Sequence, residues 1–111
     1  MKVYVSGPMT GYPEHNFPAF FAAEAELVAV GWNVVNPAYL GVVEGWEWSD
    51  YLRRDLIAML ECDGVATLDG WENSRGALLE VEVAERLDMV IYPLIDWVTW
   101  LPVAYPEGAP S

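Results

Sequence analysis

The chain has 111 residues, 54% of them apolar, with 5 Lys+Arg against 17 Asp+Glu for a formal charge of -12. That length makes one domain, large enough to close a core yet small for an enzyme acting alone. So acidic a surface repels nucleic acid polymers and anionic membranes, while a single nucleotide held by local backbone amides stays compatible with it.

Lys2 to Ser6 is rich in β-branched and aromatic residues and reads as a buried first strand, with no signal-peptide pattern ahead of it. No apolar run reaches the length of a membrane span, so a soluble cytoplasmic protein is expected. Residues 7–15 hold Gly7, Pro8, Gly11 and Pro13 and form a loop. Asn16 is placed to cap a helix with Pro18 in its first turn and a stop at Gly31. A short strand at 32–36 ends before Pro37, and a loop rich in Gly, Tyr and Trp follows to residue 48. Ser49 or Asp50 opens a second helix lasting to about Cys62. Cys62 is the sole cysteine and reads as a small core residue; it excludes an internal disulfide and a cysteine-based zinc site. Residues 65–68 form a third strand, 74–88 a third helix and 89–92 a fourth strand. After Pro93 the pattern loses its regularity, so the expected core is 1–93 and the tail 94–111 is irregular or engaged by a partner, with 106–111 disordered. The six tryptophans exceed what a core this size needs, which suggests a homodimer or larger assembly.

Strands and helices alternate, and the strands are apolar almost throughout. A single Rossmann-like (flavodoxin-like) α/β domain is expected, with four or five parallel strands and helices on both faces. Ligands in such folds bind beyond the carboxyl ends of the strands. Here those ends carry Ser6-Gly7-Pro8-Met9, Asn36-Pro37 and Asp69 to Gly76.

Two helices break their own pattern. At about 100° per residue, Ala77, Val81, Ala84, Leu87, Val83 and Leu79 share one arc of the third helix, and Glu80 falls inside that arc. In the second helix Ala58, Cys62, Leu52, Met59, Leu56 and Leu60 share an arc that includes Asp55, while Arg53, Arg54 and Glu61 lie outside it. An isolated buried charge is costly, so each carboxylate must find a partner, shift its pKa or face a cavity. Two such acids on neighbouring helices can divide roles, one ionised as nucleophile and the other protonating or orienting. Ser74 and Gly76 open the third helix, where free N–H groups favour an anion; a plain helix cap is the alternative. Arg75 either reaches a phosphate or forms an exposed ion pair. Tyr4 lies near the cleft end of the first strand, as a core aromatic or a site residue. Trp46, Trp48 or Trp71 could stack on a base, and His15, the sole histidine, reads as a surface loop residue, with a catalytic or metal role as the alternative. The acids lack metal-ligand spacing, and no cofactor is called for.

Four segments resemble the nucleoside 2-deoxyribosyltransferase superfamily, which includes the small deoxynucleoside-monophosphate N-glycosidases. They are Lys2 to Met9, Asn16 to Phe20, Arg54-Asp55-Leu56 through Asp63, and Gly70 to Gly76 with Glu80. The closest likeness is to a phage and bacterial branch of unknown function. The spacing Ser74-x-Gly76-x-x-x-Glu80 is the most specific part. The resemblance implies that Glu80 attacks C1′ of a deoxyribose, that Asp55 assists at the sugar and leaving base, and that Tyr4 positions the nucleophile. It implies that Ser74 and Gly76, with Gly7, Met9 and Arg75 nearby, bind a nucleoside or its 5′-monophosphate. It also implies that a neighbouring subunit completes the site. The expectation is cleavage of an N-glycosidic bond, by hydrolysis or by 2-deoxyribosyl transfer. A non-catalytic nucleotide-binding protein and a tryptophan-rich interaction module are the alternatives.

Overall fold

The computed structural model describes residues 1–99. Four parallel strands form one sheet: β1 (Lys2–Ser6), β2 (Asn33–Val35), β3 (Gly64–Thr67) and β4 (Val90–Pro93), in the order β2-β1-β3-β4. Val3 pairs with Val34 on one side and Gly64 on the other, and Val65 of β3 pairs with Ile91. Helices α1 (Phe17–Ala29), α2 (Trp48–Leu60) and α3 (Arg75–Arg86) make the crossovers, and α4 (Leu94–Thr99) follows β4. The fold is Rossmann-like α/β, and the chain changes direction across the sheet between β1 and β3.

Strand alternation sorts the core into two layers. Val3 and Val5 pack with Phe20, Ala23 and Leu27 of α1 and with Trp97 of α4. Tyr4 and Val65 point the other way, onto Met59 of α2, Cys62 just after that helix and Ala84 of α3. Cys62 is therefore the small core residue expected, and burial pushes its thiol up to about 11.

Several boundaries differ from the sequence reading. Asn16 precedes α1, but its backbone is left-handed (φ +59) and its side chain does not cap the helix. Instead Asn16 Nδ2 donates to Pro8 O at 2.9 Å, tying the β1–α1 loop together. Helix α2 starts at Trp48, because Glu47 and Asp50 cap each other's backbone in a reciprocal box. Helix α3 ends at Arg86, leaving Leu87 57% exposed rather than on the buried arc.

The larger correction concerns the region after Pro93. It was expected to be irregular, yet Leu94–Thr99 is helical and Trp97 is only 1% exposed. Trp97 Nε1 donates to Val65 O at 3.0 Å and Tyr92 O at 3.1 Å, and its ring meets Trp32 edge-on with centroids 5.0 Å apart. Trp32 Nε1 returns a bond to Trp97 O at 2.9 Å. Gly64 makes room for this ring, since a Cβ there would lie 2.6 Å from Trp97 Cη2. The remainder of the expected tail, 100–111, lies outside the described residues. Among the described residues no helix is long and apolar enough to cross a membrane.

Candidate active site

Beyond the carboxyl ends of β1 and β3 the chain surrounds a cleft of about 400 Å³. The position follows from the topology, because neighbouring crossovers leave the sheet in opposite directions here and part to form a crevice. Glu80 and Asp55, on α3 and α2, both line it, and they are 5% and 8% exposed.

Glu80 is held from β1. Tyr4 Oη donates to its Oε2 at 2.8 Å, and Ser6 Oγ donates to its Oε1 at 2.7 Å. Tyr4 and Ser6 are two apart on one strand, so the pleat aims both at the same helix. Burial pushes the Glu80 carboxyl up to about 7, against the lowering effect of the Ser6 and Tyr4 hydroxyls and with a further rise from Asp55. Burial, followed by the negative charge of Glu80, holds the Tyr4 phenol well above its ordinary range, so it remains a donor. Removing a donor should therefore raise Glu80 further. In Ser6→Ala, and less strongly in Tyr4→Phe, carboxyl-carbon NMR should place the Glu80 titration above about 7; an unchanged midpoint would mean these bonds do not act on the carboxylate.

Asp55 has a different environment. Burial pushes its carboxyl up to about 6, and the adjacent Arg54 guanidinium lowers it. Arg54 Nε lies 3.3 Å from Asp55 Oδ1. The two acids therefore have separate partners within one hollow, the arrangement that lets paired carboxyl groups take different roles.

Of the other residues expected at the site, Gly7, Met9, Ser74 and Gly76 line the cleft. Gly7 also has a packing reason to be glycine, since a Cβ would lie 2.8 Å from Leu68 Cβ. Ser74 caps α3, its Oγ accepting from Ala77 N at 3.2 Å. Nothing crowds Gly76, where a Cβ would come no closer than 3.8 Å to Trp48 Nε1. Arg75 does not line the cleft; its guanidinium lies over the Trp48 ring, 3.8 Å from the centroid. Trp48 is a lining residue, whereas Trp46 and Trp71 are not.

Sequence reasoning missed three residues. Ser6 falls among the strand ends where a ligand is expected but is given no role there, although its spacing from Tyr4 was the available signal. Arg54 was assigned to the solvated face, yet it lines the cleft. His15 also lines the cleft, its ring against Phe17 at 5.4 Å. Glu14, His15 and Asn16 all have positive φ, a costly run for residues with a Cβ, although Asn and His tolerate it better than most.

The cleft thus brings together an acid with two hydroxyl donors, a second acid and the amino end of a helix. No curated protein matches this sequence. Residues 1–92, which supply every side chain just described, match the family described as a domain of unknown function (DUF4406), and the chain belongs to that family.

Proposed function

We propose that the protein cleaves the N-glycosidic bond of a 2′-deoxyribonucleoside or its 5′-monophosphate, with Glu80 as nucleophile. One observation carries this reading: Glu80 is buried at the wall of a cleft it shares with Asp55, its two oxygens oriented by Tyr4 and Ser6. Each carboxylate oxygen keeps a further lone pair beyond the one its hydroxyl donor uses. A Glu80 oxygen attacks C1′, the bond from C1′ to the base nitrogen breaks, and its electron pair leaves with the base. Asp55 supplies the proton that neutralises the departing base. Water then releases the sugar from Glu80, or a second base accepts it. The likeness of Tyr4, Asp55, Ser74, Gly76 and Glu80 to the nucleoside 2-deoxyribosyltransferase pattern supports the same roles.

The 5′-phosphate belongs at the start of α3. The first turn of a helix has N–H groups without intrahelical partners. Ser74 Oγ takes that of Ala77, leaving the Arg75 and Gly76 amides for a ligand. Gly76→Ala tests this placement. Alanine in a helix should stabilise the fold by about 0.5–1 kcal/mol, while the added methyl group hinders a phosphate at the amides. Denaturant unfolding and calorimetry with deoxynucleoside monophosphates should move in opposite directions. Unimpaired binding would remove the phosphate from this helix.

The pH dependence follows from the two carboxyl groups. The productive form has Asp55 protonated and Glu80 ionised, so it carries one proton between them. With values of about 6 and about 7, that count dominates over roughly one pH unit, and kcat/KM should be bell-shaped with a maximum near pH 6.5. A profile flat from pH 5 to 8 would exclude this pair as acid and nucleophile.

The direct experiment is incubation with the common deoxynucleosides and deoxynucleotides, followed by chromatography for free base. Burial of the Glu80 carboxyl favours a second reading, nucleotide binding without turnover. Burial pushes the Glu80 carboxyl up, and the nearby Asp55 charge raises it further, so the intended nucleophile is drawn toward its protonated form. Tight binding that survives Glu80→Gln, with no base released by the wild type, would establish that second reading.

A further inference from the structure

Arg54 touches both the Asp55 carboxyl and the loop at the mouth of the cleft. Besides the contact with Asp55, Arg54 Nη1 donates to the carbonyl oxygens of Leu40 and Gly41, each at 3.0 Å. Its guanidinium carbon lies 5.3 Å from the ring centroids of both Trp46 and Tyr51. Tyr51 Oη in turn accepts from Val43 N at 2.9 Å and donates to Val43 O at 2.8 Å. The 41–46 segment therefore hangs from two side chains of α2. Gly41 and Gly45, with φ of +68 and +85, adopt backbone conformations that favour glycine. Gly41 and Val42 line the cleft, and Val42, Val43 and Trp46 leave apolar surface exposed nearby.

A guanidinium suits this position because its planar fork serves several acceptors at once while its face lies on an aromatic ring. A lysine ammonium supplies the charge without the fork. The other titratable groups lining the cleft are Glu80 on α3, Tyr4 on β1, Tyr51 on α2 and His15 from the β1–α1 loop.

We propose that Arg54 is a positioning residue that couples the 41–46 loop to the Asp55 carboxyl, so that loop and acid are set in place together. Its value for catalysis rests on Asp55 being the acid of the glycosidic reaction, as read above. Movement of the loop onto or off a ligand changes the hold of Arg54 on Asp55, and so changes how readily Asp55 gives up its proton.

Three substitutions in the full-length protein test the coupling: Arg54→Ala, Arg54→Lys and Tyr51→Phe. The Asp55 titration is followed by carboxyl-carbon NMR, and loop opening by chymotrypsin cleavage at Trp46. Arg54→Ala should raise the Asp55 midpoint by a unit or more and speed cleavage at least tenfold. Arg54→Lys should keep Asp55 close to its original midpoint while cleavage stays fast. Tyr51→Phe releases Val43 without touching Asp55, yet it should both speed cleavage and move the Asp55 midpoint upward. A merely local role for Arg54 would leave Asp55 unmoved in Tyr51→Phe, and that result overturns the coupling even if Arg54→Ala fails to fold. Neither readout uses base release. A wild type that frees no base would remove the glycosidic reading and leave the coupling to be decided by these two measurements.

Discussion

Glu80→Gln should lower base release by about a thousandfold or more, as loss of a covalent nucleophile does, and should at the same time make the protein more heat-stable at pH 8. The second effect follows from linkage. Folding raises the Glu80 pKa from 4.5 to about 7, so between those values the native state holds more protons than the unfolded chain. Stability is then at its fullest below about pH 4.5, falls as pH rises through about 7, and stays at the lower level above that. Glutamine does not titrate and escapes this loss. A shift of that size corresponds to roughly 3 kcal/mol at most. Weaker hydrogen bonds from Ser6 and Tyr4 to a neutral amide offset part of it, leaving about 1–2 kcal/mol, or roughly 5–10 °C in Tm. At pH 4 the two proteins should melt nearly together. Calorimetry at both pH values, beside the base-release assay, checks the pair of effects; a variant less stable at pH 8 would show that burial does not strain this carboxylate.

Trp97→Ala should cost about 3–5 kcal/mol, the range for removing a large buried aromatic side chain. It also strips the hydrogen bonds to Val65 O and Tyr92 O and leaves an opening beside Gly64. Against a total stability of about 5–15 kcal/mol, that loss brings the fold to the edge of unfolding. A chain cut after Pro93 loses the same ring together with α4 and should show no cooperative transition in urea. Trp97→Phe keeps most of the packing and should fall between the wild type and alanine. An unchanged midpoint for the 1–93 fragment would refute the role given to Trp97. The stretch matched by the family, 1–92, would then be a folding unit as well as a homologous one.

The fold and the two acids were legible because they rest on periodicity. Three strands ended at Gly or Pro punctuation, and the second and third helices each had an apolar arc that made a misplaced carboxylate conspicuous. Asp55 and Glu80 stood out for that reason alone. Arg54 did not, because a wheel records where a side chain starts and not how far it reaches. Its long stem turns back over the helix to the Leu40 and Gly41 carbonyls. Ser6 was hidden because a serine at a strand end looks like the beginning of a turn until its partner on α3 is known. Pro93 misled differently. A proline after an apolar strand reads as the end of regular structure, whereas Pro93 closes β4 immediately before α4, which at six residues is too short to display a period. The left-handed run at Glu14 to Asn16 leaves only a faint trace in residue types, the tolerance of His and Asn for positive φ, and its contacts come from Pro8, Tyr12 and Phe17.

The central place of β1 has a consequence for synthesis of the chain. Of the four strands of this sheet β1 is synthesised first, its partners following about 30 and 60 residues later, and Asp63 accepts from the Lys2 amide at 2.8 Å only after two helices have been made. Until then the run Val3-Tyr4-Val5 has both edges open and both faces uncovered, the condition in which nascent strands find wrong neighbours. Translation speed and chaperone supply should therefore govern the yield of this protein more than the stability of its finished fold.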